Sequence, residues 1–307
     1  MVFDRRMLVI PDNTEFNQKA IITSGDVIIG DRCLVQFGIR TEGRVFIGEH
    51  AIIDGDIEST GDVRVDIFSR IRGNVKSHAN VYLGEKVTVD GRLSVAGDLD
   101  VGDSVEVKEG FEAKGWINIR SPIPIVIYIF IYLSQLLKMG HSEDIERILA
   151  EMEENEGDTI PISEIFLFIP NSSMIGLQTS QTDGDIRIGK NCKLRGTIEA
   201  KGKAFIGEKT SIHGGIQAEG EIYCGKNVEV KGAIKTNGSI RIDEDANIGS
   251  DITAQKIHIS KTAVTRGTLF AKQGINFIAP YDVQEDENER RFEDDVEIIG
   301  MLDEELG

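Results

Sequence analysis

The sequence predicts an all-β protein built as two tandem triangular parallel β-helices with about 18 residues per coil. Three observations carry this: glycine anchors recurring at steps of 18, period-two apolar alternation beside each anchor, and a second copy of the whole pattern 159 residues on. A fixed internal period is the mark of a solenoid, in which each repeat buries its apolar face only by stacking on its neighbours.

The anchors are Gly30, Gly48, Gly84 and Gly102, with Asp66 in the intermediate slot, then Gly189, Gly207 and Gly225 in a second frame, with Asp243 next and Ser260 one residue early. Apolar residues fall three and one before the anchor, as in Val27/Ile29, Val45/Ile47, Val81/Leu83 and Ile240/Ile242. Such alternation marks a short strand with one buried face. The pair recurs six residues later, as in Ala51/Ile53, Val87/Val89 and Val228/Val230. Six further on it appears as large then small, as in Ile57/Ser59, Ile198/Ala200 and Ile216/Ala218. Three strands therefore make each coil. Glycines at plus seven (Gly55, Gly73, Gly91) and plus thirteen (Gly43, Gly61, Gly97) are expected at corners, where backbone is left-handed or crowded. Each array of about six windings is expected to form a rod about 30 Å long.

The 159-residue shift superposes Ile10-Pro11 on Ile169-Pro170, Cys33 on Cys192 and Phe46-Ile47-Gly48-Glu49 on Phe205-Ile206-Gly207-Glu208. Four regions result: a first β-helix domain at 1–119, a linker at 120–166, a second β-helix domain at 167–279 and a tail at 280–307. The linker opens with an apolar run, Ile123 to Leu137, in which Ile125, Ile127, Ile129, Phe130, Leu133 and Leu137 form a membrane or packing segment. At 15 residues it is short of the about 20 a spanning helix needs. An apolar helix is expected, either buried against the open end of a rod or lying at a membrane interface. Ser142 to Asn155 then puts Ile145, Ile148, Leu149 and Met152 on one helical stripe behind Ser142 as N-cap, an amphipathic docking helix.

A formal charge of −18 argues against nucleic-acid binding, which needs clustered Lys and Arg. Twelve acids against Arg290 and Arg291 fall in residues 281–307, an acidic tail expected to be disordered and open to a protein partner. Cys33, Cys192 and Cys224 fall on inward positions, so packing in a reducing interior is expected rather than disulfides or metal. Walker-type loops, G-x-S-x-G, C-x-x-C and H-E-x-x-H are absent from the sequence, and no cofactor, metal or catalytic residue is assigned.

The pattern φ-x-φ-G-[DEK]-x-x-x-φ-x-G, with a third strand ending at Gly, resembles the bactofilins, the polymer-forming cytoskeletal proteins, over about 225 residues in two copies. The resemblance implies right-handed coils and a structural, non-enzymatic protein. It also implies end-to-end stacking into nucleotide-independent cytoskeletal polymers, in the cytoplasm and often near the membrane. A typical member has one such domain between flexible tails, whereas this chain has two joined by an apolar segment. Val27, Ile29, Ile275 and Phe277 are expected near the free coil ends as polymer contacts.

Two other readings stay open. One is a membrane-peripheral scaffold that does not polymerise, anchored through Ile125 to Leu137. The other is a left-handed hexapeptide acyltransferase, whose coils also take about 18 residues. That enzyme reading needs a catalytic His, and His50, His78, His213 and His258 all fall on outward positions, with no long insertion in any coil.

Overall fold

The computed structural model describes residues 6–120, 163 and 165–278. These residues form 38 strands of two to five residues, stacked into three sheets of 14, 12 and 12 strands. The expected three strands per coil are present, and each alternates buried and outward side chains, as in Val63-Arg64-Val65 and Ile222-Tyr223-Cys224. The apolar segment of the linker, with Ile125, Ile127, Ile129, Phe130, Leu133 and Leu137, and the helix expected at Ser142 to Asn155 lie outside the described residues, as does the acidic tail.

The two copies do not make two rods. All three sheets run through both, and one aliphatic core extends from Leu99 to Ile259 through the middle of the molecule. Fourteen strands at about 4.8 Å give a single rod about 60 Å long.

The copies meet head to head and exchange their first strands. Leu8–Ile10 of the first copy stacks in parallel on Ile186–Ile188 of the second, while Phe166–Ile169 of the second stacks on Asp26–Ile29 of the first. The exchange continues through Glu15 on Lys193 and Met174–Ile175 on Leu34–Val35. Each chain segment then turns back into its own copy, at Asn17–Lys19 and Gly176–Gln178. The only antiparallel pairings among the described strands lie at this seam: Val9 with Phe168, Phe16 with Ile21, and Ile175 with Ser180. Phe16 and Phe37 fill it, with ring centroids 5.4 Å apart. Asp26 is buried beside it. Burial would raise its carboxyl pKa, but hydrogen bonds from the Arg44 side chain and the Arg44 and Ser163 backbone outweigh that and hold it below the usual range.

Glycine was expected at corners with left-handed or crowded backbone: Gly196 is left-handed at φ 80°, Gly43, Gly55, Gly73 and Gly97 are crowded, and a further left-handed set is not glycine. The residue of this set sits two after each anchor except Ser260: in the first copy Arg32, His50, Phe68, Lys86 and Ser104 all have φ between 54° and 58°. Such a conformation costs about 1 kcal/mol per residue. Its N–H points along the rod axis and is satisfied one coil on, from His50 to Ile67 O (3.1 Å) and from Lys86 to Asp103 O (2.9 Å). Most glycines serve close approach between coils. A Cβ on Gly48 would lie 2.4 Å from Asp31 Oδ1, which accepts the Glu49 backbone N–H at 3.0 Å.

Candidate assembly surfaces

Because the copies join head to head, both ends of the rod are C-terminal ends. Glu106–Val107, Phe111–Ala113 and Ile117–Ile119 are the edge strands at one end, and Val264–Thr265, Leu269–Ala271 and Ile275–Ile278 at the other. Each strand pairs on its inner side only among the described residues, as Ile117–Ile119 does with Leu99–Val101. The core opens at these ends: Phe111, Ile117 and Ile119 are exposed at one, and Val264 and Phe270 at the other. Trp116 is 85% exposed and Phe277 64%. Unpaired edge backbone over open apolar surface is a template for another strand layer.

Of the residues expected at free ends, Ile275 and Phe277 lie on the outermost strand of the second copy. Val27 and Ile29 do not lie at an end. They are 0% and 1% exposed at the seam, where the exchanged strand Phe166–Ile169 covers them. The place expected for them is taken by Phe111, Trp116, Ile117 and Ile119. A signal for these was present. Trp116 fills an outward slot that holds Arg44, Asp62, Asn80 and Asp98 in the preceding coils.

The outer face of the fourteen-stranded sheet is the second candidate. Ile28, Phe46, Arg64 and Tyr82 sit side by side on successive strands, with the Arg64 guanidinium 4.6 Å from the Tyr82 ring. They line a groove of about 1410 Å³ that reaches from Phe168 to Asn118. Its volume exceeds the about 300–1,000 Å³ of ordinary small-molecule sites.

Titratable groups elsewhere are explained by packing. Burial pushes the Cys33 and Cys192 thiols up to about 11 and Cys224 to about 12. His50 stacks on Phe68 at 4.9 Å, and His78 and His213 are exposed on the outer surface. His258 is held below the usual imidazole range by burial and by nearby Lys256 and Arg241. Among the described residues no group of His, Cys, Asp and Glu is arranged to hold a metal, and no helix is long and apolar enough to cross a membrane.

The geometry defines a parallel β-solenoid of about twelve coils whose open features, among the described residues, are its ends and the groove on one outer face. Residues 170–269 match the family model Bactofilin, described as polymer-forming cytoskeletal, so the second copy carries a bactofilin domain. The first copy lies outside that match and folds into the same coils. No curated protein and no solved structure matches the chain.

Proposed function

We propose that the chain is a structural protein that assembles end to end into cytoskeletal polymers without nucleotide. One observation carries the reading: both ends of the rod present edge strands in all three sheets over exposed Phe111, Trp116, Ile119, Phe270 and Phe277. Contact with a second chain gives those edges hydrogen-bond partners and removes apolar surface from water, at about 25 cal/mol per Å². Any such joint apposes two C-terminal coils, so strands meet antiparallel across it, as they already do at the internal seam. The bactofilin match over 170–269 supports the same reading.

The test is negative-stain electron microscopy with sedimentation over a range of concentrations, without nucleotide. Filaments or sheets are expected from the natural chain. The double variant Trp116→Arg/Phe277→Arg is expected to stay dispersed with an unchanged circular-dichroism spectrum. Filaments from that variant, or small discrete particles from the natural chain at every concentration, would remove the reading.

A further inference from the structure

We propose that the apolar run Ile123 to Leu137 seats in the groove on the outer face of the fourteen-stranded sheet, on the first copy, and not against a rod end or at a membrane interface. Seating there leaves both rod ends open.

The points at which the described chain stops and resumes set the path. It stops at Arg120, directly after the outermost strand Ile117–Ile119, where Asp100 holds the guanidinium at 2.6 Å. It resumes at Ser163, just before Phe166–Ile169 at the seam, where the Ser163 backbone N–H donates to Asp26 at 3.0 Å. Both strands belong to the fourteen-stranded sheet, six strand spacings apart, or about 29 Å. The strands from one to the other are all parallel and in register, from Ile117 through Val63 to Leu167. Arg120 therefore lies beyond one side of this stack and Ser163 beyond the other. Residues 121–162 have to return along the rod and also cross its width, either over this face or around the other two.

The diagonal over this face is the shorter route, and the groove follows it, with Arg120 in its lining at one end and Ser163 and Phe166 at the other. The run Ile123 to Leu137 carries no charge, and its 15 residues reach about 22 Å as a helix or about 50 Å extended, so either conformation suits the path. The surface beneath is apolar over its seam half, where Ile28, Phe46 and Tyr82 face outward, and turns polar at Asp100 and Asn118. The longer route offers less. On one of the other sheets the outward slots hold Arg40, Glu58, Lys76, Ser94 and Glu112. On the other, Leu34 and Ile52 give way to Arg70, Thr88 and Glu106.

Other occupants fit less well. Asp31, Asp66, Glu85, Asp100 and Asp103 line the groove against Arg64 and Arg120, which disfavours an anionic lipid surface and the acidic residues 281–307 alike. The second copy has a comparable outward row in Arg187, Phe205, Tyr223 and Arg241, but neither end of the segment lies on it. Tethered on both sides to the first-copy face, the run meets this groove intramolecularly, an advantage that a free partner has to overcome.

Hydrogen–deuterium exchange of the full-length chain, read by mass spectrometry at several protein concentrations, tests the assignment. Amides of 123–137 are expected to exchange at least about tenfold more slowly than in an unstructured chain, equally at every concentration. The double variant Phe46→Glu/Tyr82→Glu puts charge in the groove and leaves the inward Val45, Ile47, Val81 and Leu83 in place. It should return 123–137 to near-unstructured rates, with circular dichroism and protection of the coils unchanged. Phe111→Glu, at the rod end and outside the groove, should leave 123–137 protected. Release by Phe111→Glu, with protection surviving Phe46→Glu/Tyr82→Glu, would overturn the proposal in favour of the rod end. Protection lost on dilution would assign the groove to a second copy of the chain. Fast exchange of 123–137 in the natural chain would mean that the run does not seat at all. Flotation with equimolar phosphatidylcholine and phosphatidylglycerol vesicles should leave the natural chain unbound, and binding that disappears on deletion of 123–137 would give the run to a membrane surface instead. Should the double variant misfold, Phe46→Glu and Tyr82→Glu are measured singly.

Discussion

Cys33 Sγ donates to the carbonyl oxygen of Pro170 at 3.1 Å, and its counterpart 159 residues on, Cys192 Sγ, donates to Pro11 O at 3.2 Å. Each copy thus places a buried thiol against the strand that the other copy lends it. The pair marks the seam as a pseudo-twofold junction. The neighbouring buried hydroxyls repeat the symmetry, Thr14 with Thr23 and Ser173 with Thr182.

The thiols make stability pH-dependent in one direction. Burial raises Cys33 and Cys192 to about 11 and Cys224 to about 12, above the ordinary thiol value of about 8.5. A raised folded-state value means the neutral thiol is favoured in the fold. Its contribution is complete below the unfolded value and is lost as pH climbs towards 11 to 12. Urea midpoints should therefore be flat from pH 7 to 8 and fall above about 9. The attribution rests on Cys224→Ala, which should show a shallower fall. An identical slope in that variant would sink the assignment.

The strand exchange predicts what happens when the chain is cut. An engineered protease site within residues 121–162 divides the protein into two fragments, each still holding the first strands of the other. After cleavage the fragments should co-elute under native conditions and part only in denaturant. Phe37→Ala, which empties a fully buried site against Phe16 at this seam, should lower stability by about 4 kcal/mol. Fragments that separate freely after cleavage would mean the exchange does not hold the halves together.

Why the sequence shows the coils but hides the exchange follows from the same residues. Period and alternation report which side chains face inward, and those of Val45, Ile53 and Ile57 do so as expected. The exchanged strands Leu8–Ile10 and Phe166–Ile169 carry the same apolar pattern in both copies. Stacking on one copy or the other therefore buries equivalent groups, and no local preference distinguishes them. The trace that remains is one extra residue: Pro11 to Gly30 and Pro170 to Gly189 are steps of 19, not 18, where the chain reverses at Asn17–Lys19 and Gly176–Gln178. Val27 and Ile29 were misplaced for this reason. Without the exchange the coil they belong to would be an end.

The Asp26–Arg44 pair gives an acid-side counterpart. With its pKa held below the usual carboxylate range, Asp26 contributes stability that is present above its unfolded value and lost as pH falls through the folded one. Asp26→Ala should cost about 3 kcal/mol at neutral pH, because it removes the buried carboxylate that accepts from the Arg44 side chain and from the Ser163 and Arg44 backbone N–H groups. Equilibrium unfolding at pH 7 and at about pH 2 should show that penalty shrinking as the natural carboxylate protonates. A penalty that grows on acidification contradicts the assigned direction.

Gly97 tests whether a solenoid glycine is required by space or by backbone angle. A Cβ there would lie 2.4 Å from Asn80 Oδ1 and 2.9 Å from the Ala79 carbonyl, and Asn80 Oδ1 is the acceptor for the Asp98 backbone N–H at 2.9 Å. Gly97→Ala should cost about 1–3 kcal/mol through this overpacking. In an Asn80→Ala background the cost should fall, with coupling of about 1 kcal/mol, yet not vanish, because the Ala79 backbone still stands in the way. Gly110 is the contrast. Nothing lies within 4 Å of a Cβ built on it, but its φ is +79°, so Gly110→Ala is penalised by conformation alone and Gly110→Asn should recover part of the loss. Thermal denaturation of the five variants separates the two causes. Equal penalties for Gly97→Ala with and without Asn80 would show that the side-chain ladder plays no part in excluding a Cβ.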